Sequence, residues 1–114
     1  MMFDWNAYRK QIGAAVGEIS KISPDTVRGY AQLGNAGAKT GKLDAKTREL
    51  IALAVAVTRQ CDGCITVHTD AAINHGATRE EVMEALGVAI AVNAGAALVY
   101  SARTMDAYTA RAST

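Results

Sequence analysis

The sequence has one proline, few aromatic residues, and no run in which Val, Ile or Thr alternates with polar residues. These absences remove most of the material for a sheet, and abundant Ala points to helices instead. Charge of one sign is also missing: twelve Lys and Arg stand against eleven Asp and Glu, without a basic cluster. That balance leaves no footprint for nucleic acid or an anionic membrane surface as partner. The opening Met-Met-Phe-Asp-Trp-Asn has an acid and an amide where a signal peptide needs a basic region and an apolar run, so a cytoplasmic location is expected. Thiols stay reduced there, and a disulfide is more often catalytic than structural. At 114 residues the chain reads as one domain, residues 1–114, whose isolated core is only modestly stable.

An all-α bundle of about six helices is expected. Trp5, Tyr8, Ile12, Val16 and Ile19 recur at helical spacing, predicting a first helix from about Trp5 to Lys21. Ser23-Pro24 opens a second, which fades in the Gly-rich stretch from Gly34 to Gly41. Asp44 caps a third helix running to about Arg59 or Gln60, and a fourth covers about Cys61 to His75 before Gly76 stops it. Thr78-Arg-Glu-Glu81 is a capping box for a fifth, broken or bent at Asn93-Ala-Gly95 before a last helix ends near Tyr108. Ala85 to Ala102 is uncharged for eighteen residues, but its Ala, Gly, Asn and Ser content is weak for a membrane span. It reads instead as a helix buried on most sides, which a domain this small completes by self-association.

Only two cysteines are present, and both fall with a histidine inside eight residues, Cys61-Asp-Gly-Cys-Ile-Thr-Val-His68. Such a pair serves reversible disulfide chemistry or metal ligation, and the histidine suits either. In a helix, residues i and i+3 have Cα atoms about 5 Å apart, which a disulfide can bridge. Cys64 and His68, at i and i+4, share a face. Both cysteines are expected in the first turn of the fourth helix, where unpaired N–H groups and the positive dipole end favour a thiolate. Cys64 is therefore the candidate nucleophile, with His68 placed to take its proton. If the third and fourth helices form an antiparallel hairpin, Glu49 and His68 are offset by about 7 to 8 Å along the axes, near what two long side chains and a water span. His75 sits in the last turn before Gly76, where it complements the dipole, and it stays outside the site.

Glu49, eleven residues, Cys61, two residues, Cys64, three residues, His68 resembles the signature of the alkylhydroperoxidase D / carboxymuconolactone decarboxylase superfamily. The surrounding Leu50-Ile-Ala-Leu-Ala-Val-Ala, Ala71-Ala72, His75-Gly-Ala-Thr-Arg-Glu-Glu-Val82 and Glu84-Ala-Leu86 are similar to it too, so the likeness covers about Leu43 to Ala102. The resemblance implies an all-helical fold, a trimer or hexamer, and a thiol peroxidase acting on hydrogen peroxide or organic hydroperoxides without a cofactor. It makes Cys64 the peroxide-attacking cysteine, Cys61 the resolving one, and His68 and Glu49 the proton relay. An external dithiol, of the dihydrolipoamide-protein type, is the implied reductant. One departure is Gly63, which stands where the best-studied thiol peroxidase branch has a second histidine. The decarboxylase branch generally lacks the cysteine pair, so both cysteines here argue against lactone decarboxylation.

Two other classes compete. An acid-base enzyme on a small carboxylated lactone would use His68 and Glu49 and leave the cysteines idle. A non-catalytic zinc or redox-sensing module would use Cys61, Cys64 and His68, yet a closed structural zinc site wants a fourth ligand and no further cysteine exists.

Overall fold

Asp44 and Thr78 act locally as the sequence asks. Asp44 accepts the Thr47 amide at 2.8 Å, and Thr78 and Glu81 close a reciprocal box, with bonds of 3.1 Å and 2.9 Å. The computed structural model describes residues 1–114 and is all helical, with five helices. These are α1 (Trp5–Ile22), α2 (Pro24–Thr40), α3 (Ala45–Arg59), α4 (Asp62–Asn74) and α5 (Arg79–Ala112). Asp4 caps α1 by accepting the Ala7 amide at 3.1 Å. Pro24 occupies the first turn of α2, while the Ser23 hydroxyl pairs with Thr26 Oγ1 rather than with a backbone amide.

Three boundaries differ from expectation. α2 ends at the far limit of the Gly34 to Gly41 stretch in which it was expected to fade, running to Thr40 and stopping on Gly41, whose φ of 67° takes the left-handed conformation that ends a helix. α5 is one helix of 34 residues, with no break at Asn93-Ala-Gly95 and an end at Ala112 rather than near Tyr108. Alanine-rich neighbours offset the weak helix propensity of Gly95. Asn93 reinforces the turn, its Nδ2 donating to the Ala89 carbonyl and to Thr58 Oγ1, both at 2.8 Å. The third difference is Cys61, which precedes α4 as its N-cap.

α3 and α4 form a hairpin with almost no loop. Gln60 takes φ 53°, and the Cys61 amide then reaches back to the Ala56 carbonyl at 3.1 Å. α5 returns parallel to α3, in register: Lys46 pairs with Glu81 at 2.6 Å and Thr58 bonds Asn93, both thirty-five positions apart in sequence. α1 lies against α4, tied there by Thr66 Oγ1 donating to the Trp5 carbonyl at 3.4 Å, and α2 packs on α1. Only Leu53, Ala56, Thr66, Ala72 and Ala89 are buried, all on α3, α4 and the first half of α5. α5 was expected to be buried on most sides; within one chain its only substantial neighbour is α3, so just Ala89 is enclosed.

Candidate active site

Cys61 owes its position to the tight α3–α4 turn. As the N-cap of α4, its sulfur accepts the Cys64 amide at 3.2 Å, a role oxygen side chains usually fill. The same turn brings the sulfurs of Cys61 and Cys64 to 2.7 Å, with both cysteines free. A proton between two sulfurs can rest on either. Contact with Cys64, and then the backbone N–H groups of Cys64 and Gly63, hold the Cys61 thiol below its ordinary range. Cys64 is pushed up, first by Cys61, then by burial and by the charge on Cys61. Of the two thiols Cys61 is therefore the more readily ionised, whereas the sequence pointed to Cys64; the contact between the sulfurs is the largest cause, and the amide donors that reach the cap position add to it.

His68 and Glu49 meet directly. His68 Nδ1 lies 2.7 Å from Glu49 Oε2, leaving no space for the bridging water that helical rise suggested. The pair is partly shielded, with side-chain exposures of 27% and 22%, so its contact is less weakened by solvent than a surface ion pair. With the carboxylate accepting from Nδ1–H, the lone pair of Nε2 is the group left to take a proton. No hydrogen bond joins His68 to either sulfur. The four predicted residues thus form two contacting pairs, Cys61–Cys64 and Glu49–His68, on opposite ends of one turn of α4. No three His, Cys, Asp or Glu side chains converge so as to share a metal ion.

Cys61, Cys64 and His68 open onto an apolar groove of about 740 Å³ between α1, α2 and α4, while Glu49 reaches it only through His68. Cys61, Gly63, Cys64, Val67 and His68 line one wall; Arg9, Ile12, Val16 and Ile19 of α1 and Val27 and Tyr30 of α2 line the rest. The α1 residues carry the stripe read from the sequence, but the stripe faces a groove rather than a closed core. Periodicity identifies an apolar face and not what covers it, so the groove was missed. Arg9 is the one permanently charged side chain in the lining, and it is paired with Asp70 at 3.4 Å. Gly63 matters here as well: a Cβ at this position would stand 3.8 Å from Ile12, so a longer side chain would compete with Ile12 for the groove.

Comparison with known proteins gives the family and the fold. The carboxymuconolactone decarboxylase family matches residues 24–107. The chain belongs to the carboxymuconolactone decarboxylase family. Within this family it is similar to an uncharacterized protein from Haemophilus influenzae, 47% identical over 95% of this chain and 96% of that one. An uncharacterized protein encoded in the cox locus of Paracoccus denitrificans is 38% identical, covering 81% and 83%. A crystal structure of a carboxymuconolactone decarboxylase family protein from Legionella pneumophila, in its apo form, superposes with a TM-score of 0.73 at 38% identity, covering 92% of this chain and 94% of that one. The superfamily and the all-α fold expected from the Glu-Cys-Cys-His spacing are therefore those of the molecule.

Proposed function

We propose that the protein is a thiol-dependent peroxidase that reduces hydrogen peroxide or organic hydroperoxides through a Cys61–Cys64 disulfide. The observation that carries this reading is the 2.7 Å approach of two free sulfurs at a helix N-terminus, facing the same groove as His68, which Glu49 contacts from behind. The dithiol first loses one proton to His68, whose charge Glu49 balances, and the anion rests on Cys61. Cys64 passes its own proton across the sulfur contact to Cys61 and attacks one peroxide oxygen. The S–O bond forms as the O–O bond breaks, and His68 returns its proton to the departing hydroxide or alkoxide. Cys61 then condenses with the Cys64 sulfenic acid, releasing water and closing the disulfide. An external dithiol, of the dihydrolipoamide type, reopens it by exchange.

Separate cysteine variants test the assignment. Cys64→Ser abolishes peroxide consumption, whereas Cys61→Ser reacts once and stops at a sulfenic acid that dimedone traps. Unchanged peroxide turnover in Cys64→Ser would overturn the role given to that sulfur. No peroxide turnover in the unaltered protein, with both thiols left unreacted, would favour the cysteine-independent acid-base chemistry.

A further inference from the structure

A second, smaller cavity is lined by aromatic rings and carboxylates, with no basic side chain among them. It encloses about 310 Å³ and is bounded by Phe3, Asp4, Ala7, Tyr8, Gln11 and Asp62. That volume lies at the lower end of ligand sites and suits a small headgroup. Asp62 lines it, whereas the flanking Cys61 and Gly63 line the groove, so both cavities open beside the N-terminus of α4. None of the six residues takes part in the peroxide reading, and the inference does not rest on it.

The segment that enters α1 is held in place by its own packing. Trp5 sits 5.0 Å from Phe3 between ring centroids and meets Tyr8 edge-on at 6.3 Å. Its carbonyl accepts from Thr66 Oγ1, which ties this segment to α4. Phe3 and Tyr8 then stand 6.4 Å apart. A cation near the midpoint between them lies inside the about 6 Å over which a ring attracts it.

The charge in the pocket is negative and unmatched. Neither Asp4 nor Asp62 belongs to any of the molecule's ion pairs. Each carboxylate stands at a helix N-terminus, Asp4 as the N-cap of α1 and Asp62 in the first turn of α4. A helix terminus carries about half a positive charge, so the two together leave roughly one negative charge between the carboxylates. One charge matches a monovalent ion rather than a metal dication. Aromatic walls select further, because they attract an ion that gives up its water easily, and a methylated ammonium does so where sodium does not.

We propose that this pocket binds a small quaternary ammonium ion of the choline type, with its methyl groups against Phe3 and Tyr8 and its charge facing Asp4 and Asp62. The test titrates choline into the full chain at constant ionic strength, beside an uncharged isostere in which carbon replaces the nitrogen. Binding is read from the fluorescence of Trp5, the only tryptophan, and from saturation-transfer NMR of the ligand methyl groups. Choline is expected to saturate both signals with a Kd on the order of 1 mM, and the isostere to bind about tenfold more weakly. Asp62→Asn and Phe3→Leu, both at exposed positions, are each expected to weaken choline about threefold with circular dichroism unchanged. Equal binding of choline and the isostere would overturn the proposal, as would competition by plain ammonium at the same concentration. Saturation absent from both signals, or untouched by both substitutions, would overturn it too.

Discussion

Leu53 and Leu98 are the same side chain on neighbouring helices, yet one is 3% exposed and the other 76%. Leu53 lies on α3, where α4 and α5 both close over it; Leu98 lies on α5 past the end of α3. The difference shows where a chain this short builds an interior. It does so only where three helices meet, and Glu49, Cys61, Cys64 and His68 are held by that part. The α1–α2 layer and the far half of α5 are equally apolar but face outward. They supply surface to the site rather than rigidity.

The largest way to break this contrast is Leu53→Ala, which is expected to cost about 3 kcal/mol in denaturant unfolding because nothing can collapse into the space. Leu98→Ala, at a side chain 76% exposed, is expected to leave helicity and the unfolding free energy of the chain nearly unchanged. Equal losses of helicity in both variants would remove the distinction.

Next in size is the relay. If the pair moves protons and does not hold the hairpin, as proposed, His68→Gln is expected to slow peroxide turnover about 100-fold and Glu49→Gln about tenfold, both with circular dichroism unchanged. Unfolding in either variant would assign it a structural role instead.

A smaller effect sharpens the cysteine assignment. With the Cys61 thiol held below its ordinary range, its alkylation rate is expected to rise at lower pH than that of an ordinary thiol and to fall away as pH drops through that lowered value. Cys64→Ala removes the largest cause of the lowering, so the Cys61 profile moves to higher pH. An unmoved profile would place the cause in the backbone amides alone. The smallest effect is Thr78→Ala, which opens the capping box of α5 and costs about 1 kcal/mol by thermal or denaturant unfolding.

What was legible in the sequence was local. Asp44, the Thr78–Glu81 box and Gly76 fix helix ends through neighbours three or four residues away, so their types alone announce them. The spacing of Cys61, Cys64 and His68 was legible for the same reason. Glu49 was legible only in part: helical rise in a hairpin brought it near His68 and the family spacing gave it a role, but their direct contact depends on how the two helices cross. Cys61 as a cap was hidden because a thiol is an unusual capping group. The Asn93-Ala-Gly95 signal misled because the Asn93 side chain bonds within α5 and across to Thr58. Burial was least legible. The apolar stripes of α1 and α5 are plain in the sequence, but what covers a stripe is decided by how the helices pack.

The most direct measurement counts thiols against peroxide. One equivalent of peroxide added to the reduced protein is expected to remove two thiols per chain, with mass spectrometry finding an intramolecular Cys61–Cys64 link that a dithiol reverses. Peroxide left unconsumed, with both thiols still titratable, would contradict the account.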